Sequence, residues 1–304
     1  MGISRSSRAW VLATCLAVVG LVTPSTAIAG GAARLLPDLR MAKLTEMRVT
    51  YDSSKDRHLL RFTATILNVG DGPYIVRTER DCDGPECPVM AARQRYLRTD
   101  GSHNGAADTG TSEYDVGDGH SHWHVMDVES YELIPLDLPP EEASEAVSGS
   151  KVGFCFFDTT PRNPSLPGSP SSPVFGESGC GVPSSTQTRV GLSVGWGDTY
   201  PWFLPRQWIK LDEVPSGDYL VCATADPFDQ WTETAEDNNQ TWTRIHLQRD
   251  GSDVALTFEG SGRSPCATRL PAALRGAPWR ASLPRAEAIP AAGSEMVVCR
   301  IEES

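Results

Sequence analysis

Leu60-Arg61-Phe62-Thr63-Ala64-Thr65-Ile66 alternates apolar and polar side chains without interruption. A period of two sends successive side chains to opposite faces of an extended chain, so this run, within Leu59–Leu67, reads as a strand. Asn68-Val69-Gly70-Asp71-Gly72-Pro73 is a turn sequence, and Tyr74–Thr78 is the expected returning strand. Met47–Tyr51 precedes them as another strand. Further on, Val152–Phe157, Trp208–Leu211, Tyr219–Ala225, Thr241–Leu247 and Val254–Phe258 read as strands too. Thr78 to Gly119 reads as loop-rich, Thr159–Val182 as a long Pro/Gly/Ser loop, and Glu141–Val147 as one short helix. Many short strands, little helical periodicity and abundant turn residues indicate an all-β, β-sandwich-like single domain with long loops.

The ends do not share that pattern. Arg5 and Arg8 precede an apolar run from Ala9 to Val22, Pro24 breaks it, and Ala27-Ile28-Ala29 is a small-x-small cleavage pattern. Residues 1–29 therefore read as a secretory signal peptide, too short for a spanning helix, and the chain is expected to be secreted with no membrane span. Residues 30–266 form the expected domain. Residues 267–304, rich in Ala, Pro, Arg and Gly without apolar periodicity, are expected to be a disordered tail. The net charge is −12, and more negative still without Arg5 and Arg8. An acidic surface disfavours nucleic acid and favours cationic partners.

Outside the leader lie seven cysteines: Cys82, Cys87, Cys155, Cys180, Cys222, Cys266 and Cys299. An exported chain can form disulfides. Cys82 and Cys87 enclose the turn sequence Asp-Gly-Pro-Glu, which suits local pairing. A bridge between Cys155 and Cys180 would pin the long loop between them. An odd count leaves one thiol over, with Cys299 the candidate.

His120-Ser121-His122-Trp123-His124 holds three of the six histidines. On a strand, alternate residues share a face about 6.6–6.8 Å apart, and a modest bend brings three imidazoles to one point. Neutral imidazole suits copper, zinc, nickel or iron, so the triad reads as a metal site without choosing the metal. This strand is expected to continue through Ser130–Leu136.

The order of further motifs resembles the catalytic domain of lysyl oxidases over roughly residues 35–266. They are the histidine triad, Lys151-Val152-Gly153-Phe154-Cys155, Gly191-Leu192-Ser193, Gly197-Asp198-Thr199-Tyr200, Gln207-Trp208-Ile209, Pro215-Ser216-Gly217-Asp218-Tyr219-Leu220 and Asn238-Asn239. The resemblance implies that His120, His122 and His124 bind copper. It implies that Lys151 and Tyr200 cross-link into lysine tyrosylquinone, the family's built-in cofactor. It also implies that Cys155 pairs with Cys180. Cys266 matches the family's last cysteine, whose usual partner position is not Cys here, and Cys222 is the expected substitute. A calcium site is implied at Asp38, the Leu39 carbonyl, Glu233, Asn238 and Asn239. Ala235 departs from that pattern where the family has an acid, with Glu236 or Asp237 to compensate.

The residue types suit this chemistry. Copper held by imidazoles can use oxygen to oxidise a phenol to a quinone, and a neutral lysine amine can add to that ring where a guanidinium cannot. The chain has only four lysines, Lys43, Lys55, Lys151 and Lys210, so one beside an apolar run requires a reason. The implied activity converts a primary amine, small or on a lysine-bearing protein, with oxygen into aldehyde, ammonia and hydrogen peroxide. Asp198 is a candidate base, with fixing a turn as its ordinary alternative. Trp196, Trp202 and Trp208 read as packing. Two rivals remain: a secreted β-sandwich that binds copper without redox chemistry, and a zinc hydrolase with an open water position. Only the amine oxidase needs both Lys151 and Tyr200.

Overall fold

The computed structural model describes residues 31–80, 88–115, 121–136, 147–149, 151, 153–263 and 266. The expected leader, Cys82, Cys87, His120, Cys299, the expected tail 267–304 and all of the expected helix except Val147 lie outside the described residues. The strands are β1 (Arg34–Leu35), β2 (Leu39–Met41), β3 (Thr45–Asp52), β4 (Arg57–Asn68), β5 (Tyr74–Glu79), β6 (Val89–Arg98), β7 (His103–Asp115), β8 (His122–Met126) and β9 (Glu129–Pro135). They continue as β10 (Val147–Ser148), β11 (Gly153–Phe154), β12 (Thr160–Pro161), β13 (Gln187–Leu192), β14 (Trp196–Tyr200), β15 (Trp208–Lys210), β16 (Gly217–Ala225), β17 (Gln240–Asp250) and β18 (Asp253–Gly262). Among the described residues, no helix is long and apolar enough to cross a membrane.

The all-β expectation holds, with three sheets around one core. A seven-stranded sheet runs β11-β8-β7-β6-β5-β13 with β1 beside β6, and a five-stranded sheet runs β10-β9-β16-β17-β18. A six-stranded sheet is built on β4, flanked by β2, β3, β14 and β15, with β12 beyond β14. One contiguous apolar cluster draws on all three, including Ile66, Val76, Tyr131, Phe154, Tyr200 and Val221.

β4 is buried on both faces from Phe62 to Asn68, so its threonines do not face water. The Thr63 hydroxyl donates to Glu46 at 2.7 Å, and the Thr65 and Thr199 hydroxyls are 2.9 Å apart. These bonds satisfy polar groups that burial would otherwise penalise. The turn after β4 is a corner between sheets and not a hairpin, because β5 pairs with β6 and β13. Asn68 holds the corner. Its Oδ1 accepts the amides of Asp38 and Gly70, each at 3.1 Å. Its Nδ2 donates to the carbonyls of Gly72 at 2.9 Å and Leu192 at 3.0 Å.

Three further expectations are corrected. The loop-rich region contains β6 and β7, whose Arg, Gly, Asp and Thr content hides them; pairing with β5 and β8 makes them strands. The histidine strand ends at Met126. Asp127, at φ 59°, turns the chain out of that sheet, and β9 then pairs with β16 in another. The buried strand expected over Val152–Phe157 is only two residues of ladder, Gly153–Phe154, although Cys155 and Phe156 are fully buried.

The long loop is pinned as expected by a disulfide between Cys155 and Cys180, and Cys222 is bridged to Cys266. The second bridge ties the chain after β18 back to β16 in the five-stranded sheet.

Candidate functional site

β8 pairs with β7 in the register His122 to Asp115 and His124 to Glu113. His122 and His124 project to one side, both buried, with their Nε2 atoms 2.9 Å apart. Trp123 points the other way, where its ring meets Tyr114 and its Nε1 donates to the Val182 carbonyl at 2.9 Å. The His124 Nδ1 lies 3.7 Å from Asp115 Oδ2, and that carboxylate is paired with Arg206. A carboxylate behind an imidazole aims its other nitrogen, here Nε2, toward a metal. Two buried imidazole nitrogens converging on one point, with such a backing group, fit a nitrogen-ligated transition metal. His120 lies outside the described residues.

β11 presses on β8, with Gly153 opposite Met126 and Phe154 opposite Val125. The approach requires glycine: a Cβ at position 153 would stand 2.8 Å from Met126 Sδ and 3.2 Å from both His124 Cβ and the Val125 carbonyl. Lys151, two residues earlier, is 3% exposed. Its Nζ is 4.5 Å from the centroid of the Tyr200 ring and 5.5 Å from that of Phe154. Tyr200 ends β14, opposite Ala64 of β4, and is 3% exposed. Its ring lies 4.0 Å from that of Phe154, and its hydroxyl accepts the Cys155 amide at 3.4 Å. The Cys155 and Cys180 sulfurs are in turn within 4.8 Å of a His122 ring nitrogen. Lysine, tyrosine and the histidine pair thus share one buried neighbourhood.

Two carboxyls face that lysine. Asp198 is not in a turn: it sits within β14, fully buried, and burial holds its carboxyl well above the usual range against the opposing Phe157 amide and Lys151 charge. Glu129 is the second, 1% exposed. Burial raises it too, opposed by Lys151 and by the Tyr131 hydroxyl, which donates to Glu129 Oε2. Burial and then Glu129 also keep the Tyr131 phenol protonated. Sequence reasoning missed Glu129, Tyr131, Asp115 and Arg206. An acid at a buried position of an apolar strand was the available signal for Glu129; Asp115 and Arg206 meet only through the fold. Trp196 packs with its Nε1 on the Pro170 carbonyl at 3.0 Å. Trp202 and Trp208 lie under the guanidiniums of Arg48 and Arg57.

The second candidate ion site also gathers its residues. Asp38 and Glu233 are each 6% exposed and Asn239 is 3% exposed. Asn238 Nδ2 donates to Asp38 Oδ2 at 3.3 Å, and Asn239 Nδ2 to Glu233 Oε1 at 3.0 Å. Leu39 contributes its amide, which donates to Glu233 Oε2. Where Ala235 leaves a gap, Glu236 stands near: although exposed like Asp237, it accepts the Glu233 amide at 3.2 Å. Asp226, unforeseen, brings a carboxylate oxygen within 4.8 Å of those of Glu233 and Glu236. Burial pushes Glu233 up to about 9 and Asp226 to about 7. The Oδ1 atoms of Asn238 and Asn239 are buried without a hydrogen-bond partner. Orphaned acceptors beside crowded acids fit a hard, oxygen-ligated cation such as calcium.

The lysyl oxidase family model matches residues 97–256, which include every candidate residue above except Asp38 and Leu39. Lysyl oxidase homolog 4 of Mus musculus is 28% identical over 146 residues, covering 45% of this chain and 16% of that protein. Lysyl oxidase homolog 2 of Rattus norvegicus is 30% identical over 122 residues, 40% of this chain and 14% of that protein. The Gallus gallus homolog 2 is 28% identical over 158 residues, 50% and 18% respectively. The chain spans less than a fifth of the length of these relatives.

Proposed function

The chain belongs to the lysyl oxidase family, and from that premise we propose that it is a secreted, copper-dependent amine oxidase. Its reaction turns a primary amine, small or on a lysine-bearing protein, with oxygen into aldehyde, ammonia and hydrogen peroxide. The reading rests chiefly on one distance, the 4.5 Å between the Lys151 Nζ and the Tyr200 ring, both sealed from water.

His122 and His124, with His120, would hold the copper. Bound there, copper would supply the one-electron chemistry with oxygen that makes a quinone of the Tyr200 phenol, the electron acceptor for the amine. The chain's own residues prepare the rest. Lys151 is within reach of a Tyr200 ring carbon and adds only as a neutral amine, so its proton needs a receiver. Glu129 and Asp198 are the nearby carboxyls, and burial, which raises both, makes each a better proton acceptor whenever it is ionised. One of them would later remove the α-proton of the substrate. Phe154 fixes the ring plane, and the Cys155 amide holds the phenolic oxygen. Asp115 orients His124. Asp38, Glu233, Glu236, Asn238 and Asn239 would hold calcium. The apolar run from Ala9 to Val22 and the two disulfides support export to an oxidising compartment.

Peptide mass analysis of copper-loaded, aerated protein tests this. A covalent Lys151–Tyr200 peptide is the expected result. Separate, unmodified peptides after full copper loading would reduce the protein to a copper-binding module.

A further inference from the structure

On the outer face of the seven-stranded sheet, Arg189, Arg77 and Arg93 stand side by side on β13, β5 and β6. One step along, Ile75 lies opposite Arg95, and Arg95 opposite Gly105 of β7; His103 follows at the end of that strand. Like charges directly across a sheet oppose its formation. The cluster is also out of keeping with its chain, which carries 39 acidic against 27 basic residues. Among the described residues, no carboxylate comes within ion-pair distance of Arg77, Arg95 or Arg189.

The guanidiniums are instead held in place by neutral groups. Arg77 donates to Gln187 Oε1 at 3.3 Å. Arg189 rests over the Phe175 ring at 5.0 Å. Arg95 lies across Gly105, where a Cβ would stand 2.6 Å from its Nη1. Between them is a hollow of about 210 Å³ lined by Ile75, Arg77, Arg95, His103 and Arg189. Ile75, 2% exposed, is its apolar floor. Planar guanidinium forks converging on one space match the several oxygens of a tetrahedral oxyanion better than a single carboxylate.

We propose that this hollow is a binding site for a phosphate or sulfate group, separate from the amine-oxidising centre and independent of that assignment. The group could be free or an ester on a larger molecule. The bound anion would neutralise Arg77, Arg95 and Arg189 and relieve the repulsion between the paired Arg77 and Arg189.

Titration calorimetry of the full chain at low salt tests this, with sodium pyrophosphate and a sulfated oligosaccharide as separate probes. At least one should bind at a single site, more weakly as salt rises. Each guanidinium removed should weaken binding about tenfold or more, so Arg77→Gln/Arg189→Gln should lose measurable affinity. Arg244→Gln, which removes a positive charge on β17 away from the hollow, should retain it. Binding of pyrophosphate alone identifies a small phosphate ligand; binding of the oligosaccharide alone identifies a sulfated chain. No binding of either, or equal binding by the double variant, overturns the proposal. Melting without anion gives a second readout. Relief of repulsion should leave the double variant at least as stable as the parent, and a lower melting temperature would assign the row to structure instead.

Discussion

Glu233→Gln in the absence and presence of calcium is the most informative single perturbation. Burial raises the Glu233 carboxyl from its ordinary 4.5 to about 9, so in cation-free protein the folded state keeps a proton that the unfolded state releases. Stability from this group is complete below about pH 4.5 and declines as pH climbs toward about 9. Each pH unit in that window costs about 1.4 kcal/mol, so by about pH 7.5 the loss is on the order of 4 kcal/mol. Asp226, raised to about 7 with burial as the main cause, titrates beside it and shares part of that loss. Glutamine keeps an acceptor for the Leu39 amide and cannot ionise. In chelator, denaturant unfolding should therefore show the variant gaining on the parent as pH rises from about 5 to about 7.5, by an amount of that order. In saturating calcium the order reverses, because the parent carboxylate then has its cation. Calorimetry in buffers of different ionisation heat should show protons released on calcium binding. If the parent and the variant follow parallel pH profiles in chelator, Glu233 is not a buried acid awaiting a cation, and the site assignment fails.

Three other predictions concern the proposed oxidase centre and its scaffold. Lys151→Arg should abolish amine turnover and the cross-linked peptide while copper stoichiometry is unchanged, since a guanidinium stays protonated and cannot add to the ring; persistent turnover would refute the cofactor assignment. Gly153→Ala forces a Cβ against His124 and the Val125 carbonyl. It should cost about 1–3 kcal/mol and weaken copper binding in a competition titration; unchanged affinity would show that β11 does not hold the histidine pair. Replacing Cys222 and Cys266 with serine opens a bridge spanning 44 residues, which should cost about 4 kcal/mol by loop entropy. Chemical denaturation measures that loss, and a drop below about 1 kcal/mol would mean the end of the domain is anchored by other contacts.

Where the sequence failed as a guide, the reason was local. β6 is interrupted by arginines and β7 by glycines and aspartates, so propensity marks both weakly, although β6 buries every second residue from Met90 to Tyr96. They are strands because β5 and β8 offer open edges on either side. The histidine strand looked continuous because apolar residues resume after Met126; a single left-handed residue, Asp127, divides it between two sheets. Asp198 lay in a Gly-rich motif that looked like a turn, and strand pairing with Ile66 placed it inside instead.

The sequence alone determined the all-β class, through period-two patterning, and the pairing of His122 with His124 on one face, because that periodicity is a property of any extended chain. It named Lys151 and Tyr200 by motif and could say nothing of their separation in space, since they lie 49 positions apart along an unspecified path. Only the tertiary structure decided that distance. Gly153 lets one strand lie on the histidine strand, and Ala64 of β4 carries Tyr200 to the same place. It alone enclosed Glu129 and Asp198 with the amine, because burial depends on every element that closes around a group and not on the group's neighbours in the chain.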